Sequence, residues 1–171
     1  MSFRLALCST AALFIAPAPA LAGEVFGGIY SHDVDTFLTQ SGFERGADIQ
    51  LGWRGERIGR TPLQPYAFAA VNTAGETHYG AVGISAKFGD KIYVRPGLGL
   101  AVHTGSAGNF QRTDRITFGS RVLFEPELGV GARINERLSV EASWVHLSHG
   151  QLFGRQNPGM DSIGVRLNFA F

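Results

Sequence analysis

Ser162-Ile163-Gly164-Val165-Arg166-Leu167-Asn168-Phe169-Ala170-Phe171 closes the chain, and its alternation decides the fold. Every odd residue is apolar; the even ones are small or polar. Side chains of a strand alternate between its two faces, so this segment presents one wholly apolar face and one that is not. Just upstream, Leu138-Ser139-Val140-Glu141-Ala142-Ser143-Trp144-Val145-His146-Leu147-Ser148-His149 repeats the pattern on its even face. There the apolar row Leu138, Val140, Ala142, Trp144 ends in His146 and Ser148. Extending the last segment back one step brings Asp161 onto its apolar face as well. A hydroxyl, an imidazole and a carboxylate therefore fall at the ends of two adjacent apolar rows, the residue types of a nucleophilic triad.

The same alternation recurs along the chain. Val25 to His32 is a Gly-rich first strand that alternates poorly, followed by a polar loop from about Asp33 to Arg45. Strands are expected over Ala47 to Arg54, Gln64 to Val71, Tyr79 to Phe88, Ile92 to Val102 and Val122 to Arg133, and with the last two segments they number eight. Most glycines fall on the polar faces, together with Asp48, Arg54, Lys87, Arg95, Glu125, Glu127, Arg133, Glu141 and Arg166. Pro96 and Pro126 lie on the apolar rows of neighbouring strands. Each removes a ladder donor, which leaves a bulge or local break open there.

Residues 1–22 read as a secretory signal peptide: Arg4, an apolar run from Leu5 to Ala16, and the small-x-small site Ala20-Leu21-Ala22. Residues 23–171 are then a single domain. The one cysteine, Cys8, lies in the leader, so disulfides are not expected in the remainder. Without Arg4, 14 Lys and Arg face 14 Asp and Glu, and no basic excess points to nucleic acid.

No run is long enough for a membrane-spanning helix. An exported chain with unbroken apolar faces opposite charged ones is instead expected to form a closed barrel, which satisfies all its backbone groups in lipid. The fold expected is all-β: an eight-stranded antiparallel transmembrane barrel of the bacterial outer membrane, its charges paired inside a plugged interior. A soluble lipocalin-like barrel binding a small apolar ligand would need the reverse polarity. Short turns at Gly89 to Lys91 and Asn135 to Arg137 belong on the periplasmic side by the usual rule, and the Thr104 to Thr117 and Gly150 to Gly159 loops outside. That puts His146, Ser148 and Asp161 at the outer rim, facing lipid.

His146-Leu147-Ser148, then Asn157-Pro158-Gly159-Met160-Asp161, then a strand ending in Phe, resembles the lipid A 3-O-deacylase (PagL) family, also described as acyloxyacyl hydrolase-like. The resemblance implies a lipopolysaccharide-remodelling esterase without cofactor or metal. Its substrate would be lipid A, its surroundings outer-membrane lipid, and homodimerisation is left open. It implies Ser148 as nucleophile, His146 as general base and Asp161 as the orienting acid where the family usually has Glu. Asn157 would serve the oxyanion, and His149 stands where Asn commonly follows the serine. From its place in the loop over the site, Arg155 reads either as a solvated loop arginine or as a contact for a lipid A phosphate. His146-x-x-His149 with Asp161 also has the composition of a metal site. Residues three apart on a strand point to opposite faces, so no metal is expected without a bulge. His103 and the aromatics Trp53, Tyr79 and Trp144 are expected to be structural. A non-catalytic structural or adhesion barrel is the alternative reading, with the polar triplet merely part of an interfacial belt.

Overall fold

The structure, a computed structural model, describes residues 23–39, 42–109, 112 and 114–171. The expected leader, with Cys8, lies outside the described residues. Eight antiparallel strands follow in order: β1 (Gly23–Ser31), β2 (Ala47–Gly55), β3 (Leu63–Asn72), β4 (Tyr79–Ala86, resuming at Phe88–Gly89 after a break at Lys87), β5 (Ile92–His103), β6 (Val122–Arg133), β7 (Leu138–Leu147) and β8 (Met160–Ala170). Each pairs with the next, and β8 pairs back onto β1 from Glu24↔Ala170 to Ser31↔Ile163, so the sheet closes. Closure leaves no sheet edge, the condition for strands to sit in lipid. The β5–β6 register runs from Ile92↔Ala132 to Val102↔Val122 without a slip, so neither Pro96 nor Pro126 introduces a bulge.

Polarity is inside-out. On β8, Ile163, Val165, Leu167 and Phe169 are exposed while Arg166 and Asn168 are buried, and the other strands repeat this. The soluble-barrel reading fails on that arrangement, because a water-soluble barrel would hide the apolar row. Inside, three arginines and three glutamates close a ring of alternating charge. Arg54 meets Glu127 at 3.0 Å; Glu127 meets Arg166 at 2.7 Å; Arg166 meets Glu141 at 3.2 Å. Glu141 lies 3.6 Å from Arg95, Arg95 pairs with Glu24, and Glu24 returns to Arg54 at 2.8 Å. Buried charges are tolerable only when paired, and here each has two partners of opposite sign.

The interior departs from expectation at four places. Glu125, fully buried, forms no ion pair among the described residues and accepts from the Tyr66 hydroxyl instead. Lys87 is only half-buried, its ammonium 4.0 Å from the centre of the Tyr93 ring. Arg133 is exposed and pairs with Asp90 at 2.7 Å, because it lies at the last pleat, where water replaces the barrel wall. In β1, where alternation was weak, Phe26 and Tyr30 point inward and Val25 and Ile29 outward. The inward rings face cations: Arg54 stands 4.5 Å and Arg166 5.0 Å from the Phe26 centroid, so an aromatic row is at home beside the charges. Such filling needs small partners across the strand. A Cβ at Gly131, opposite Tyr93, would overlap the tyrosine ring.

Candidate active site

β7 and β8 set the site by register: His146 is the cross-strand partner of Asp161. Both lie on the outward row, which alternates with the buried Glu141, Ser143 and Val145 of β7. After Leu147 the chain stays extended, because Ser148 makes a two-bond bridge with Phe124 of β6 (Phe124 N–H to Ser148 O, 2.7 Å; Ser148 N–H to Phe124 O, 3.2 Å). That bridge keeps Ser148 on the same face as His146.

The three side chains form a continuous hydrogen-bonded row. Asp161 Oδ1 lies 2.8 Å from His146 Nδ1, and His146 Nε2 lies 2.8 Å from Ser148 Oγ. A carboxylate only accepts, so Nδ1 carries the proton and the Nε2 lone pair faces the serine hydroxyl. In that tautomer the imidazole can take a proton from Ser148.

Asp161 is fully buried although it lies on the outer row, because the loop joining β1 to β2 folds over it. Thr36 and Thr39 of that loop both donate to Asp161 Oδ2, Thr39 at 2.7 Å, and Val34 N–H donates to the Asp161 backbone carbonyl at 2.9 Å. Trp144, expected to be only structural, donates its indole N–H to Oδ1 at 2.9 Å. Four side-chain donors thus hold the acid. Gly159 makes room for them: its φ is +70°, and a Cβ there would come within 2.8 Å of Thr39 Cγ2 and 3.2 Å of His146 Cε1. The threonines were missed in the sequence because nothing local in a polar loop says which strand end it will cover.

The loop is pinned in turn to the barrel mouth. His32 Nδ1 contacts Asp48 at 2.8 Å, and His32 Nε2 contacts Glu44 at 3.0 Å. Glu44 accepts from Thr77 (N–H and hydroxyl, 3.0 Å each) and from Ile116 N–H at 3.2 Å, so one carboxylate ties three loops together. Burial disfavours the His32 imidazolium, but the hydrogen bonds to Asp48 and Glu44 outweigh it and hold its pKa up at about 9. Glu44 moves down for the reciprocal reason: burial is outweighed by its bonds to His32 and Thr77.

The remaining expected residues separate. Asn157 approaches the site through its amide oxygen, which accepts the His149 backbone N–H at 2.8 Å and leaves its NH₂ as a donor. The His149 ring turns away, with Nε2 2.7 Å from Gln156 O and Nδ1 accepting from Phe153 N–H. It braces the β7–β8 loop, and its ring is not part of the row. Among the described residues no cluster of His, Cys, Asp and Glu could hold a metal. Arg155 is exposed in the β7–β8 loop. His103 is buried beneath Phe118 and bonds Ser120 O at 2.8 Å, a structural position.

The family model for lipid A 3-O-deacylase (PagL) matches residues 41–170. The chain belongs to the PagL family. It is thereby a member of a family of outer-membrane lipid A deacylases. Among solved structures, the outer membrane enzyme PagL superposes with a TM-score of 0.62 at 21% identity, covering 86% of this chain and 99% of that one. Neisserial surface protein A superposes with a TM-score of 0.53 at 13% identity, covering 86% and 96%. At such identities the superpositions speak for the fold alone. No curated protein sequence matches the chain.

Proposed function

We propose that this protein is a serine esterase of the outer membrane that removes the 3-O-linked hydroxyacyl chain of lipid A. The observation that carries the reading is the unbroken Asp161–His146–Ser148 row on the outside of the barrel wall, in a chain of the PagL family. The long-loop end would face outward, which sets the row at the level where the sugar of an outer-leaflet lipid meets its acyl chains. Residues 1–22 would be removed on export.

In this mechanism Ser148 Oγ attacks the ester carbonyl while His146 Nε2 takes its proton, and Asp161 stabilises the imidazolium that forms. The Asn157 NH₂ and backbone N–H groups would stabilise the oxyanion. The tetrahedral intermediate collapses, and His146 returns the proton to the departing sugar 3-oxygen. Water, deprotonated by the same imidazole, then splits the acyl-serine ester into free hydroxy fatty acid and restored Ser148. The acyl chain would lie against the exposed apolar rows, which need no further pocket.

Mass spectrometry of lipid A from cells producing wild type or Ser148→Ala tests this. The wild type should remove one hydroxyacyl chain and the variant none, with both barrels folded by heat-modifiable gel mobility. Equal loss in both would dispose of the mechanism. Unchanged lipid A in both would favour a non-catalytic barrel.

A further inference from the structure

Above the barrel mouth the β5–β6 and β7–β8 loops enclose an open cleft of about 680 Å³. Three guanidiniums line it: Arg112 and Arg115 from one loop and Arg155 from the other. Amide side chains join them, Asn109 on the first loop and Gln151, Gln156 and Asn157 on the second, beside the apolar Phe43 and Ile116; no carboxylate lines it among the described residues. Asp114, just outside, accepts from Arg112 at 2.8 and 2.9 Å and lies 3.6 Å from Arg115, so three cations face one anion. Arg155 has no ion-pair partner among the described residues.

The cleft borders the triad. Asn157 lines it and also accepts the N–H of His149, the residue after Ser148, while Gly159, two positions on, packs against His146. Two residues of chain span at most about 7 Å. A group in the cleft and a carbonyl at Ser148 can therefore belong to one molecule. The apolar rows start on the opposite side of Ser148, so a ligand placed here runs from a charged end to an aliphatic end.

We infer that this cleft binds the phosphate of the substrate's phosphorylated amino-sugar headgroup, with Arg155 and Arg115 as its specificity-determining residues. Guanidiniums match phosphate oxygens in a two-pronged geometry, and amide donors suit the neighbouring sugar hydroxyls. Arg112, already engaged by Asp114, would set the loop rather than hold the ligand. The inference rests on the proposed esterase reading for what occupies the cleft, but its test does not require turnover.

The probes are purified bis-phosphorylated lipid A and the same lipid stripped of phosphate, in detergent micelles. Binding is measured on Ser148→Ala, and hydrolysis on the wild type. Phosphorylated lipid should bind about tenfold or more tightly than the stripped lipid, as one lost charge-assisted contact implies. Adding Arg155→Ala should erase most of that preference, and Arg155→Lys should restore part of it. Arg60→Ala, an exposed cation on the β2–β3 turn at the other end of the barrel, should leave it intact. Equal binding of the two lipids, or a preference that survives removal of both Arg155 and Arg115, would overturn the inference. Phosphate-dependent, Arg155-dependent binding with no hydrolysis by the wild type would uphold the cleft and refute the esterase reading.

Discussion

Replacing Thr39 by valine swaps a hydroxyl for a methyl of the same shape and should loosen Asp161 without emptying the space around it. Asp161 Oδ1 is held by His146 and Trp144, and Oδ2 by Thr39 at 2.7 Å and by Thr36. A hydrogen bond to a charged acceptor is worth about 1.5–3 kcal/mol, and each 1.4 kcal/mol retained only in the transition state is a factor of ten in rate. If about half of the bond's worth is expressed as His146 becomes charged, Thr39→Val should lower kcat by roughly three- to twelvefold. KM should barely move, because no threonine touches the acyl chain in the proposed mechanism. Thr39→Ser, which keeps the hydroxyl, should recover most of the rate. The Thr36→Val/Thr39→Val double variant should lose less than the product of the single losses, since both hydroxyls serve one oxygen. The assay is steady-state release of hydroxy fatty acid from micellar lipid A by folded, purified barrel. A double variant that is folded and keeps the wild-type kcat would show that the β1–β2 loop merely lies over the acid, and would refute the reasoning.

Three further outcomes follow from the same structure. Glu127→Ala leaves Arg54 and Arg166 short of a buried partner and should cost about 3–5 kcal/mol in denaturant unfolding, whereas Arg133→Ala, which removes an exposed pair with Asp90, should cost under about 1 kcal/mol. With His32 at about 9, above its ordinary 6.5, the loop anchor is at full strength below pH 6.5 and fades as pH rises through 9, by up to about 3 kcal/mol. Amide exchange of the β1–β2 loop should therefore accelerate between pH 7 and 10 beyond the intrinsic rate, and His32→Gln should abolish that excess; a flat wild-type profile would refute the anchor. Asn157→Asp keeps the acceptor for His149 N–H but deletes the NH₂ donor, so an oxyanion role requires a kcat loss of about 10²–10³, while a merely loop-bracing Asn157 would tolerate the change.

Period-two alternation was enough to establish seven of the eight strands, the apolar exterior and the charged interior, because in a closed barrel each residue's face follows from its parity; β1 alternates too weakly to be read that way. The same parity placed His146, Ser148 and Asp161 on one surface, and the folded barrel bonds them in a row. Strand ends were harder to read: Arg133 keeps the parity of an interior residue, yet the wall stops there and water takes over. What tertiary structure alone decided is the company those three side chains keep. Thr36 and Thr39 lie more than 120 residues from Asp161 in sequence and reach it only because barrel closure sets β1 beside β8 and the His32–Glu44–Asp48 cluster draws their loop across the rim. Trp144 and His149 differ from expectation for nearer reasons: Trp144 reaches Asp161 from the neighbouring strand, and the His149 ring folds onto its own β7–β8 loop. A strand pattern gives the face on which a side chain leaves the backbone, but the partner it meets there comes from whichever loop the closed sheet brings over it.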